Sequence, residues 1–405
     1  MSHQREKYKI TPGIYFTLIL AFACSLPGLY NGITHGQLTP IIGVLFFGVA
    51  IFAAAFMLSW AAEVVQIDIS ESLAVAILAL LAVLPEYAVD FVFTWNSYGT
   101  TAKAIESHHY AVANMTGANR LLVGLGWPFI LFLYVFVKRK KEIVLDQIQR
   151  VEIFYLALAS LYSLTIPLKG ELNLIDTVIL VTLFGLYTRR AAQMETEEPE
   201  MVGPPKIIAN MNDLPRRIAT ALMFLFSGGV IFFVAEPFTE SMIHLGEAYN
   251  FNKFLLVQWV APIASESPEF IIAATWTMRG AANSAIKALI SSKVNQWTLL
   301  IGTIPLVYAI SGGVIEPFKL DQLQHHEILL TAAQSLFAVM ILMNLKFSKA
   351  EGFILLSLFL AQMIVSSIRW EMMIVYLVLA LIVTILNRSH ILPAAKFALN
   401  IKKKS

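Results

Sequence analysis

The sequence predicts an all-α polytopic membrane protein of about twelve transmembrane helices, arranged as two halves that cross the bilayer in opposite directions. Three observations carry that prediction: an apolar composition, basic residues confined to alternate loops, and one unusual motif that recurs in each half. Of the 405 residues, 58% are hydrophobic and only 14% are charged, against about 25% charged in a soluble chain. A compact globule of this length has too little interior to hide that much apolar surface, so the solvent is lipid. The net charge of +2 gives no reason to expect a nucleic-acid partner. The single cysteine, Cys24, excludes a disulfide framework and any Cys-based zinc or iron-sulfur site.

Apolar runs long enough to span as helices fall at roughly 14–33, 40–65, 69–95, 111–137, 151–168, 172–187, 218–234, 254–277, 285–310, 328–345, 352–368 and 372–386. The first lacks a small-residue cleavage site and is long enough to cross, so it stays as a helix rather than a signal peptide. With the amino terminus inside, the inside segments hold most of the Lys and Arg, including the run Lys138 to Lys141, Arg189, Arg190, Arg216 and Arg217. The outside segments hold only Lys103, Lys169, Lys253, Lys319 and Arg369. That asymmetry predicts cytoplasmic termini. The longest polar connection carries Glu195, Glu197, Glu198 and Glu200, followed by Gly203, Pro204 and Pro205. It reads as a solvated acidic linker, too short for a domain with its own core.

Pro-Glu occurs twice inside predicted spans, as Leu84-Pro85-Glu86-Tyr87 and Ser267-Pro268-Glu269-Phe270. Proline donates no hydrogen bond and crowds the carbonyl one turn earlier, which frees the carbonyls of Leu81 and Ala264 to face a cation. The adjoining carboxylate costs about 2.5 to 3.5 kcal/mol to insert at the membrane midplane, so something must compensate it. A single such site reads equally well as a plain kink with a structural hydrogen bond. Two, each followed by a span with asparagines, then Gly and Pro (Asn114, Asn119, Gly126, Pro128; Asn295, Gly302, Pro305), form the inverted-repeat pattern of secondary transporters.

These residues resemble the sodium/calcium exchangers of the calcium/cation antiporter superfamily. Ala62-Glu63, Leu84-Pro85-Glu86 and Ala113 to Asn119 look like the first alpha-repeat, and Ala264 to Glu269 with Ser291 to Asn295 look like the second. The resemblance implies ten core helices in two inverted five-helix repeats, with an extra helix at each end. The expected divisions are 1–38 (tail and extra helix), 39–190 (repeat 1), 191–215 (cytoplasmic acidic linker), 216–370 (repeat 2) and 371–405 (final helix and basic tail). It also implies alternating access around a shared ion site. Glu86 and Glu269 match the central carboxylates, Asn114 the first-repeat asparagine, Asn119 and Asn295 the later one, and Ser265 a hydroxyl position.

The sequence departs from the family pattern near both Pro-Glu turns. Ala82-Val83 and Ser265-Glu266 stand where the family has Ser or Thr ligands, and only Ile290 or Ser291 stands opposite Asn114. Asp90 lies one turn after Glu86, and Glu266 just before Glu269. Like charges that close cannot all stay ionised without a cation, so one of each pair binds a proton when the site is empty. Glu86, Asp90, Glu266 and Glu269 against Lys293 and Arg120 leave two negative charges. Lys293 reads either as a structural pair or as a tethered cation competing at Glu266 or Glu269, and Arg120 as a counter-charge or an edge salt bridge. Glu63 and Glu236 read as interfacial or as lining the access path. His108-His109 and His325-His326 are expected in outside loops, without metal-ligand spacing.

The expected function is a non-enzymatic, secondary-active cation antiporter without cofactors, moving Na+, Ca2+ or H+. Sodium against calcium is the default. Sodium or another cation against protons is the alternative, with Lys293 or the paired carboxylates carrying the proton. A non-transporting receptor lacks a large enough extramembrane domain, and an intramembrane hydrolase lacks a His-Glu-x-x-His motif or an activated serine. Partners are small inorganic cations and the bilayer, and the expected location is the plasma membrane.

Overall fold

The computed structural model describes residues 8–36, 38–68, 83–194 and 201–400. A helix stands at each predicted span, the third being described only from residue 83 onward. Helix α1 is Pro12–Thr34, α2 Pro40–Val65 and α3 Leu84–Trp95. Helix α4, Ala102–Leu121, continues through a π segment, Leu122–Gly126, into α5, Trp127–Lys138. Then come α6 (Arg150–Ser163), α7 (Thr165–Lys169), α8 (Leu174–Ala191), α9 (Pro205–Ala209), α10 (Asp213–Tyr249) and α11 (Lys253–Arg279). Helix α12, Ala282–Asn295, runs through a second π segment, Gln296–Leu300, into α13, Ile301–Gly312. Helices α14 (Gln322–Leu342), α15 (Lys349–Ile364), α16 (Arg369–Leu386) and α17 (Arg388–Ala398) complete the chain. Among the described residues, eight continuous helices are long and apolar enough to cross a membrane by that criterion alone.

The fold consists of two five-helix repeats of opposite sense, with α1 and α16 added at the ends. Four short strands demonstrate the inversion. Glu142–Val144 pairs antiparallel with Lys346–Ser348, and Glu171–Leu172 with Phe318–Lys319, so each repeat lends one strand to each pair. The connections leading into α6 and α14 carry the same string at the same spacing, Leu145-Asp146-Gln147-Ile148-Gln149 and Leu320-Asp321-Gln322-Leu323-Gln324. In each, the backbone N–H of the Asp donates to the Gln side chain, at 3.0 and 2.8 Å. Each Gln also reaches the other repeat: Gln149 Nε2 donates to the carbonyl of Asn283 at 3.1 Å, and Gln324 Nε2 to that of His108 at 3.0 Å. These reciprocal clasps tie one repeat's loop to the long broken helix of the other. Helices α8 and α15 likewise open with matching boxes, Asn173 N–H to Asp176 at 2.8 Å and Ser348 N–H to Glu351 at 2.7 Å.

Close helix approach depends on small side chains, since lipid gives no hydrophobic drive for helices to associate. Helix α2 buries Ala50, Ala53, Ala54, Ala61 and Ala62 against its repeat-2 counterpart α10 and against α1. At the α4–α11 crossing, a Cβ on Gly117 would lie 1.9 Å from the carbonyl oxygen of Gln258, so only glycine fits. Gly280, at φ +106°, ends α11 in a conformation that other residues rarely adopt and turns the chain into α12.

Several expectations are corrected. Pro85 sits at the start of α3, where a missing N–H costs nothing, whereas Pro268 lies inside an α11 that continues past it. Leu81, Ala82 and Glu195 to Glu200 lie outside the described residues. The linker is packed where it is described: Met201, Ile208 and Ala209 are buried, with Ile208 in a cluster with Met57, Trp60 and Val64 of α2. Glu236 is mid-helix because α10 extends well beyond its apolar run. His108-His109 and His325-His326 belong to α4 and α14, in the polar opening turns of helices that the apolar pattern had placed later. Gly117→Ala is expected to cost about 1–3 kcal/mol through overpacking at a backbone contact, read as a fall in thermal unfolding midpoint in detergent.

Candidate functional site

The Pro-Glu motifs bring carboxylates of both repeats together. Glu86, in the first turn of α3, and Glu266 and Glu269 on α11 lie near enough for direct mutual repulsion. Glu86 and Glu266 are 1% and 0% exposed. Among the described residues, both carboxylate oxygens of Glu86, Oε2 of Glu266 and Oε1 of Glu269 have no well-formed hydrogen bond. Buried polar atoms are satisfied in the great majority of cases, so four orphaned acidic oxygens at a repeat boundary point to a ligand that brings positive charge. Among the described residues, no three His, Cys, Asp or Glu side chains converge tightly enough to hold a metal by themselves. An ion between Glu86 and Glu269 must therefore also draw on neutral oxygens.

Two serines stand in place to supply them. Ser265 lies beside Glu86, with its hydroxyl also 3.3 Å from the carbonyl of Ala261. Ser292 lies beside Glu269, its buried hydroxyl within reach of that carboxylate. The sequence reading selected Ser291, which instead accepts a hydrogen bond from Tyr187 at 2.9 Å. Adjacent positions on a helix point about 100° apart, so Ser291 and Ser292 present their hydroxyls to different neighbours.

The other candidates form cross-links around this centre. Asn114 donates to Asp90 at 2.6 Å, leaving Asp90 Oδ2 unpartnered. Tyr87, beside Glu86, donates to Asn295 Oδ1 of the other repeat at 3.0 Å. Gln296 donates to Glu266 Oε1 at 3.0 Å. Lys293, fully buried, donates to the Asn119 carbonyl at 3.2 Å and to Asn119 Oδ1 at 2.6 Å, with its ammonium 4.5 Å from the centre of the Trp297 ring. Thus Lys293 fills the oxygens of Asn119 while remaining an electrostatic neighbour of Glu266. Arg120 does not serve as a counter-charge at the centre: its Nη2 pairs with Glu327 on α14. Sequence reasoning missed Ser292, Tyr87, Gln258, Gln296 and Glu327. Only Glu327 had a signal, as the acid following the duplicated Leu-Asp-Gln string, in the place that Glu152 holds in repeat 1.

The fold and site together define a cation antiporter. A family profile described as sodium/calcium exchanger protein matches residues 39–191 and 219–368, and the chain belongs to that family. It is similar to the crystal structure of the H+/Ca2+ exchanger CAX, at 40% identity and a TM-score of 0.92, over 96% of this chain and 98% of that one. The selenium-substituted Ca2+/H+ antiporter YfkE shares 15% identity with a TM-score of 0.62, over 86% and 98% of the two chains. The sodium-calcium exchanger NCX_Mj shares 15% identity with a TM-score of 0.51, over 86% and 99%. The last two likenesses concern the fold alone. No curated protein sequence matches the chain significantly.

Ser292→Ala is expected to weaken calcium binding about fivefold, the effect of losing one hydroxyl contact, whereas Ser291→Ala should change it less than about twofold. Titration calorimetry on the two purified variants separates them.

Proposed function

We propose that the chain exchanges calcium for protons by alternating access, with both ions competing for the carboxylates of Glu86 and Glu269. The observation that carries this reading is the set of buried carboxylate oxygens, drawn from both repeats, that have no well-formed hydrogen bond among the described residues. Calcium takes six to eight oxygens at about 2.3–2.6 Å in adaptable geometry, which suits carboxylates supplemented by Ser265, Ser292 and backbone or water oxygens. Protons neutralise the same groups when the metal leaves.

Lys293 favours protons over sodium as the counter-ion. Its ammonium already takes both oxygens of Asn119, so a subsite open to a monovalent metal is filled by a tethered cation. The charges fit exchange of one divalent ion for two monovalent ones. Glu86, Asp90, Glu266 and Glu269 against Lys293, with one excess positive charge from Arg120 and Arg369 around Glu327, leave two negative charges. One calcium ion or two protons balances them. A loaded site can then reorient across the low-dielectric barrier while an unloaded one resists, and this couples the fluxes. The similarity at 40% identity to a protein named as an H+/Ca2+ exchanger agrees with this choice. Sodium against calcium is the second reading, favoured by the family's name. The basic loops favour cytoplasmic termini, and the expected location is the plasma membrane.

The test is purified protein in liposomes, with calcium and internal pH followed under imposed pH or sodium gradients. Calcium movement driven by a pH gradient without sodium is expected, and sodium-driven calcium movement with no pH change would select the second reading. Glu86→Gln and Glu269→Gln should each reduce uptake about 100-fold, through loss of a buried charged ligand. Lys293→Ala vesicles with unchanged proton coupling would remove the ammonium from the mechanism.

A further inference from the structure

A second buried polar cluster lies beside the cation site and contributes no ligand to it. Its centre is Glu327 on α14, which is 0% exposed. Glu327 pairs with Arg120 of α4, accepts from Gln258 Nε2 of α11 at 2.7 Å, and lies 2.5 Å from Arg369 Nη1 at the start of α16. Arg369 Nη2 closes the ring by donating to Gln258 Oε1 at 3.2 Å. The Arg120 guanidinium also lies over Trp259, 5.2 Å from the ring centre. One carboxylate thus joins a repeat-1 helix, two repeat-2 helices and an added end helix.

The same helix holds Arg120 at its other end. Gln334, roughly two turns beyond Glu327 on α14, donates to the Arg120 carbonyl at 3.3 Å. The preceding carbonyl, that of Asn119, accepts from Lys293 at 3.2 Å. These consecutive carbonyls lie just before the π segment Leu122–Gly126, where the regular hydrogen-bond ladder is interrupted and the backbone needs outside support. Helix α14 supplies it, gripping Arg120 by guanidinium and carbonyl, while Asn119 presents both oxygens to the Lys293 ammonium.

Among the described residues the clamp has no twin in the other half. The residue after Asn295 is Gln296, which donates to Glu266 inside the site, and Glu152, in the place of Glu327, has Oε2 unpartnered. Repeat 1 therefore anchors its post-asparagine residue to the scaffold, and repeat 2 directs its own toward the ions.

We propose that Glu327 is a positioning residue of the exchange site, holding Arg120 so that Asn119 captures Lys293 and the ammonium stays at a fixed distance from Glu266. The inference rests on the exchange reading above. Its effect is carried entirely through Lys293, so removing either residue disables the same device.

The test compares Glu327→Gln, Glu327→Asp, Gln334→Ala, Lys293→Met and the Lys293→Met/Glu327→Gln double variant in proteoliposomes. Expected are a shift of about tenfold in the KM for calcium for Glu327→Gln, a Vmax within about twofold of wild type, partial recovery in Glu327→Asp, and a double variant no worse than Lys293→Met. Multiplying effects in the double variant, or a fall in Vmax at constant KM, would overturn the proposal. If Glu327→Gln does not fold, Gln334→Ala decides: it loosens only the carbonyl grip, should move KM the same way, and sinks the idea if KM is unchanged. Acylation of the Lys293 amine, followed by mass spectrometry without any transport, should be at least about fivefold faster in Glu327→Gln or Gln334→Ala than in wild type. Equal rates would overturn the positioning role even if wild type proves to exchange other ions.

Discussion

Carboxylates placed where water cannot solvate them must be neutralised, and much of this structure serves that requirement. Glu86, Glu266 and Glu269 repel one another, and only Glu266 has a nearby ammonium, that of Lys293, and an amide donor, Gln296. An ion that leaves such a site must be replaced by another, because the bare charges resist crossing the low-dielectric interior. Antiport follows from the burial itself. The helices contribute by burying acids of the two repeats within electrostatic reach of one another while giving them few protein donors.

The scaffold is duplicated more strictly than the site. Capping boxes, strand pairs and the Gln149 and Gln324 clasps recur in both halves with nearly the same geometry, because each repeat must end, turn and grip its partner in the same way. The polar residues near the midplane diverge. Tyr87 reaches Asn295, whereas Lys293 reaches Asn119, so the two asparagines that look equivalent in sequence receive a neutral hydroxyl in one case and an ammonium in the other. The residues after them diverge too, Arg120 toward Glu327 and Gln296 toward Glu266. An inverted fold built from similar halves can thus present an asymmetric set of charges to its cargo.

Periodicity and charge gave the spans because those signals are local: a helix in lipid must be apolar along its length, and basic loops resist translocation. They failed where local polarity misleads. The opening turns of α4 and α14 read as loops because His108, His109, His325 and His326 are polar, although helix continues through them. The linker read as solvated because it is acidic and proline-rich, yet Ile208 packs onto α2. Ser291 and Ser292 could not be distinguished without knowing which face of α12 turns toward Glu269. Glu327 was hidden among ordinary polar residues of a predicted loop end, and its partners are distant in sequence.

By itself the sequence determined that the chain is helical and membrane-embedded and that it is an inverted duplication, and it singled out Glu86 and Glu269 as the candidate central acids. Each of these is written in hydropathy, in the positive charges of the loops, or in a proline beside an acid within an apolar run. Tertiary structure alone decided which oxygens face one another, that Lys293 belongs to Asn119, and that Arg120 belongs to Glu327. Those pairings join helices whose rotation about their axes and crossing points are set by close packing, such as Gly117 against Gln258, and a linear pattern does not encode such angles.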